Sequence, residues 1–167
     1  DAATGKAITY SLYMLIVCLM QMVLLFRQVL HSQTLSTASR VSILSVGWHT
    51  TIDALMCLVH IYLSLAMSPL FTAFASVAFF KLLIFCVIEM KYMIVIVQAR
   101  NSSQGGGQSA EAFRKQVAIL HLRFYIALLS VFIILFYAIE KYRTASVLLL
   151  YSFWVPQIVL NVVTEAR

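Results

Sequence analysis

The chain has 167 residues, of which 62% are hydrophobic and 11% charged, with a mean hydropathy of +0.94 and a formal net charge of +6. Soluble domains carry about 45–50% apolar and about 25% charged residues, so this composition excludes a water-soluble core and fits a chain that buries itself in lipid. The basic excess is spread along the ends of apolar stretches, where it sets topology, and it gives nucleic-acid binding no support.

A helical crossing needs about 20 apolar residues, and stretches that meet this requirement lie at 7–29, 41–67, 70–97, 117–139 and 145–163. Backbone groups in lipid must bond within their own segment, and no porin-like alternation is present. The expected fold is all-α: one polytopic transmembrane helical bundle of about five spans.

The connections differ in character. Residues 32–40 form a short Ser/Thr-rich link, and Met67-Ser68-Pro69 reads as a tight turn whose proline suits a helix start, so the second and third spans form an antiparallel hairpin. Residues 101–110 carry Gly105-Gly106-Gly107 among Ser and Gln and read as a flexible linker. Residues 140–144 read as another tight turn, and Trp154 with Pro156 suggests a kink in the fifth span.

Arg27, Arg40, Arg100, Arg114, Lys115 and Arg167 flank one set of span ends, while Lys6, Lys141 and Arg143 flank the other. The positive-inside rule puts the first set, with the 101–110 linker, in the cytosol and Asp1 in the lumen. Asn101-Ser102-Ser103 matches a glycosylation acceptor that this orientation leaves unmodified. The chain begins at Asp1 without an initiator Met and stops just after a span, which reads as an internal piece of something longer.

Two charges fall where they are most expensive. Asp53 lies thirteen residues before Ala66 and Lys81 twelve residues after Pro69, so at about 1.5 Å per residue both sit roughly 18–20 Å from the turn. Each alone costs about 2.5–3.5 kcal/mol at mid-bilayer, and pairing is the economical arrangement. Ser42, Ser45, His49, Asp53, Cys57, His60 and Ser64 recur every three or four residues, forming one polar stripe on one helix face. Such a stripe faces other helices, a partner subunit or a wet cavity. A satisfied interhelical network is the plainest reading, and contact with polar residues in another protein's span is the next. His49, Asp53 and His60 lack a further ligand set, so no metal is expected there. Glu89 and Arg123, each one or two turns inside a span end, form a possible second, interfacial ion pair.

Cys18, Cys57 and Cys86 all fall within spans, with no Cys-x-x-Cys and no histidine spacing suited to zinc. No nucleophile with a base and no phosphate loop is present, so this stretch is not expected to perform chemistry itself.

The run at 69–100, PLFTAFASVAFFKLLIFCVIEMKYMIVIVQAR, together with Leu122-Arg123-Phe124-Tyr125, the string YSFWVPQI at 151–158 and Asn161, resembles the membrane domain of the fungal Golgi transmembrane ubiquitin ligases. These are the RING subunits of the Dsc complexes; the plant Flying Saucer ligases share the arrangement. The resemblance implies a large lumenal region before the spans and a cytosolic zinc-binding RING after them, neither of which this stretch matches. It also implies residence in Golgi and endosomal membranes and action in membrane protein quality control. The implied partners are a rhomboid-like pseudoprotease subunit, other Dsc subunits, a ubiquitin-conjugating enzyme recruited through the RING, and membrane-protein clients. No cofactor is expected in this stretch itself. A transporter-like bundle using the stripe as a polar path would show repeats or broken helices in matching positions, and a non-catalytic membrane adaptor is the remaining alternative.

Overall fold

A computed structural model describes residues 2–31, 38, 40–103, 109–138 and 141–165, with no strand among them. Among the described residues seven α-helices run in order: α1 Ala2–His31, α2 Ile43–Ala66, α3 Phe71–Leu83, α4 Met90–Ser103, α5 Ala110–Ala138, α6 Arg143–Tyr151 and α7 Val155–Glu165. The fold is a polytopic transmembrane helical bundle. Among the described residues four continuous helical stretches are long and apolar enough to cross a membrane, and α6 with α7 adds a fifth if the bent pair is one span.

Helix α2 is the hub. Its start is fixed by Ser42, whose extended backbone lets Oγ accept the Ser45 N–H at 3.3 Å. At its other end Met67 N–H bonds back to Leu63 and Leu70 N–H to Met67 O at 2.8 Å, so a single 3-10 turn, Ser68–Leu70, reverses the chain into α3. Pro69 needs no partner for the N–H it lacks at that helix start. The resulting α2/α3 hairpin is the most extensive helix pairing among the described residues. In the most apolar window of α2, 39% of residues are buried within the chain, against 6% for α5. Helix α1 lies across α3, where Cys18, Val77 and Ile84 close one core; a second core joins Ala54, Cys57, Ala78, Phe85, Met90, Met93 and Phe124.

Between α3 and α4 the chain does not break but widens, with a π-helical stretch at Ile84–Glu89. Such a turn accommodates one extra residue. Eight residues of α-helix rotate a side chain by about 800°, leaving Glu89 about 80° away from the face of Lys81; one extra residue removes about 100° of that rotation and brings the two close to one line.

The structure shifts three sequence boundaries. Helix α4 continues through Asn101 to Ser103, so the first part of the expected 101–110 linker is helical, and 104–108 lie outside the described residues. Helix α5 starts at Ala110 rather than 117 because Ser109 Oγ accepts the Ala112 N–H at 3.3 Å and Glu111 sits in the positive first turn. The fifth stretch is two helices whose axes bend by 47° across the 3-10 turn Ser152–Trp154. That turn leaves the Leu150 carbonyl to Trp48, whose Nε1–H donates to it at 3.1 Å. Asp1, Arg167, Glu140, residues 32–37 and Ser39, on which parts of the topology reading rest, lie outside the described residues.

Candidate functional site

The polar stripe of α2 turns toward α1 and α3, and its members meet partners there. Asp53 and Lys81 are 2% and 5% exposed. Lys81 Nζ donates to Asp53 Oδ1 at 2.6 Å and to Gln21 Oε1 at 2.9 Å, while the Gln21 amide donates to Asp53 Oδ2 in a close contact. One α1 side chain thus bridges both members of the pair. This closes a three-residue ring in which each heteroatom group has a counterpart, the condition under which buried charge is tolerated.

One turn before Asp53, His49 Nδ1 lies 2.6 Å from Glu89 Oε1 and 3.9 Å from Asp53 Oδ2. The wide turn after α3 makes this possible by swinging Glu89 onto the helix face that carries Lys81. Glu89 is fully buried, and its Oε2 has no hydrogen-bond partner among the described residues. His49 keeps 29% of its side chain exposed, and it opens on a cleft of about 170 Å³ bordered by Leu25, Gln28, Ser45, Glu89 and Tyr92. Gln28 Nε2 donates to the Tyr92 hydroxyl at 3.3 Å across the rim.

Two turns beyond Asp53, His60 leaves this cluster. Its Nδ1 bonds the Met56 carbonyl at 2.7 Å; a carbonyl only accepts, so Nδ1 carries the proton and Nε2 accepts from the Tyr10 hydroxyl at 3.2 Å. The Tyr10 and His60 rings stack at 5.9 Å with 3° between planes, against the edge of Phe74. His60 is therefore a satisfied core histidine between α1, α2 and α3, too differently engaged to join His49 and Asp53.

The structure does not bring Glu89 and Arg123 together. Rotation through the wide turn points Glu89 at His49, whereas Arg123 sits on the exposed side of α5, bordering a separate cleft with Trp48, Thr51 and Phe124. The interfacial pair expected from span-end distance assumed regular winding, and the π-helical turn breaks that assumption. Sequence reasoning also missed Gln21 and Tyr10, the α1 groups that satisfy the stripe. Their signal was available: polar atoms in an otherwise apolar span are there to meet partners. It missed Gln157 too, whose Oε1 accepts the Ser42 N–H at 2.7 Å and whose Nε2 donates to Asn161 at 2.9 Å, tying α7 to the start of α2.

These features define a class: a multi-span helical membrane domain whose first three crossings are joined by buried charge and amide groups. Over residues 1–167 the sequence matches the family model described as the Transmembrane E3 ligase/DUF2921 transmembrane domain, and the chain belongs to that family. It is 41% identical over 163 residues to the transmembrane E3 ubiquitin-protein ligase FLY2 of Arabidopsis thaliana and 40% identical over 163 residues to FLY1 of the same plant, 98% of this chain being covered in each case. The chain spans 29% of the length of these curated relatives. No solved structure matches it.

Proposed function

We propose that the whole protein is a RING-type ubiquitin ligase and that this domain is its membrane-embedded scaffold and client-contact region. The observation that carries the reading is the family match along the full 1–167 stretch, to relatives named as E3 ubiquitin-protein ligases. The resemblance of the residue strings at 69–100 and 151–158 to the fungal Golgi ligases supports the finer reading: residence in Golgi and endosomal membranes, and quality control of membrane proteins. It also supports assembly with a rhomboid-like pseudoprotease and other Dsc subunits, and recruitment of a conjugating enzyme through a zinc-binding RING outside this stretch. The basic-residue asymmetry supports an orientation with Lys141 and Arg143 lumenal and Arg100, Arg114 and Lys115 cytosolic.

Within that reading, the buried ring of Gln21, Asp53 and Lys81 builds the scaffold. Because its hydrogen bonds are made inside the chain, contact with clients passes to His49, a partly exposed member of the stripe, and to the lipid-facing sides of α5, α6 and α7.

The test uses the full-length protein in proteoliposomes with ubiquitin-activating enzyme, a conjugating enzyme, ubiquitin, ATP and a membrane-protein client. Wild type is expected to form ATP-dependent conjugates on itself and on the client. In a Lys81→Met background, where no charge is stranded, and at equal abundance, Asp53→Asn keeps hydrogen bonding to Gln21 of α1 and retains client modification, while Asp53→Leu unties α1 and loses it. No ATP-dependent conjugate from wild type sinks the ligase reading; undiminished client modification by Asp53→Leu in that background sinks the scaffold role.

A further inference from the structure

We propose that His49, Asp53 and Glu89 hold one divalent transition-metal ion, which staples α2 to the wide turn between α3 and α4. The three side chains each present a ligand atom within 4.8 Å of the others. A tetrahedral ion with bonds of about 2.0–2.2 Å needs its ligand atoms about 3.4 Å apart. The His49–Glu89 separation of 2.6 Å and the His49–Asp53 separation of 3.9 Å bracket that value. Each therefore has to change by less than about 1 Å, within the reach of side-chain torsions alone.

Charge and hydrogen bonding point the same way. Lys81 balances one of the two carboxylates and leaves a single negative charge; a divalent ion exceeds it by one unit, which a hydroxide formed from a coordinated water balances, so the cluster ends neutral in a medium where unpaired charge is costly. A proton shared by His49 and Glu89 supplies the charge but engages only Oε1, leaving the buried Oε2 bare. An ion centred in the cluster takes Glu89 through either or both oxygens and removes that orphan. The surroundings already resemble an outer coordination shell: Lys81 and Gln21 donate to Asp53 and fix the direction of its carboxylate, as partners of metal-binding carboxylates do. The cleft bordered by Gln28, Ser45 and Tyr92 gives an entry path and, at about 170 Å³, room for a few waters to complete the coordination.

One imidazole and two carboxylates suit zinc, manganese or iron(II), and exclude the soft-metal preference of thiolate sites. Manganese is therefore the discriminating probe, because cysteine-based zinc sites elsewhere in the full-length protein do not compete for it. Detergent-purified full-length protein is titrated with Mn²⁺ and followed by electron paramagnetic resonance, with Zn²⁺ as competitor. Wild type is expected to bind one Mn²⁺ that Zn²⁺ displaces. Loss of outer-shell partners alone weakens metal binding by about 10–100-fold, so His49→Gln and Glu89→Gln, which each remove a ligand, should weaken it by about 100-fold or more. His60→Gln, on the same stripe but bonded elsewhere, should bind as wild type does.

His49 is part-exposed, so His49→Gln keeps the test valid if Glu89→Gln proves unstable. Absence of saturable Mn²⁺ and Zn²⁺ binding beyond that of His49→Gln overturns the proposal, as does equal loss in His60→Gln, which would trace the effect to loosening of the bundle. The readout involves no ubiquitin transfer, so its failure and that of the ligase reading are distinguishable.

Discussion

Replacing Lys81 by Met should damage the domain far more than replacing Lys81 and Asp53 together. At 2.6 Å and an effective dielectric constant near 20, the pair attracts by about 6 kcal/mol. Taking two ions out of water costs several kcal/mol each, so the pair as a whole contributes close to nothing net. Breaking it is another matter. Lys81→Met leaves the Asp53 carboxylate, 2% exposed, with the Gln21 amide and the His49 ring 3.9 Å away but no full countercharge, and a stranded buried charge costs about 3–5 kcal/mol. In Asp53→Leu with Lys81→Met both charges are gone, and the residual cost is the unpaired Gln21, about 1–2 kcal/mol. For a chain of this size each kcal/mol moves the midpoint by about 2–4 °C, so the single variant should melt about 6–20 °C low and the double variant less than about 8 °C low. The structure supplies its own reporter: Cys18 and Cys57 are buried and become reactive to a fluorogenic thiol probe on unfolding, over a baseline set by exposed Cys86. A Lys81→Met midpoint within about 2 °C of wild type, or a double variant that melts as low as the single, refutes the argument that Lys81 is the group that offsets the buried Asp53 charge.

Two further outcomes follow from the same geometry. Gln157→Leu deprives the Ser42 N–H of its acceptor at the start of α2, a loss of about 1 kcal/mol that should raise amide exchange there by about 5-fold; unchanged exchange would show that α7 does not secure that end. Asn101 caries an acceptor motif yet lies on α4, where its amide donates to Gln116 of α5; it should carry no glycan in correctly inserted protein, and a glycan found there by mass spectrometry reverses the proposed orientation.

How far the sequence reached depended on what carried directional information. The crossings were legible from composition alone, because nothing but length and apolarity is needed to span lipid. The depth of Asp53 and Lys81 was legible by counting from the Ser68–Leu70 turn, and the structure sets their side chains 2.6 Å apart. Lateral position was harder. In a soluble helix the apolar face marks the inside, whereas in these spans every face is apolar and only the scattered polar residues say which way a helix turns. The α2 stripe had enough of them to define a face; α1 offers Gln21 and Tyr10, about three turns apart, whose meaning emerges only once α2 is beside them.

Glu89 shows the deeper reason for the misassigned partner. Its distance from the span end suggested Arg123, but its direction depends on the winding of the six residues before it, and one extra residue in a turn rotates everything downstream by about 100°. No propensity marks Ile84–Glu89 as π-helical: IFCVIE is an ordinary apolar run. What selects the wider turn is the tertiary result, the chance for Glu89 to face His49 instead of lipid. A carboxylate in hydrocarbon costs more than one irregular turn, so in this bundle the buried polar groups set the backbone geometry around them. The order of causation is the reverse of the one that helical counting assumes, and it locates the site where regular periodicity fails.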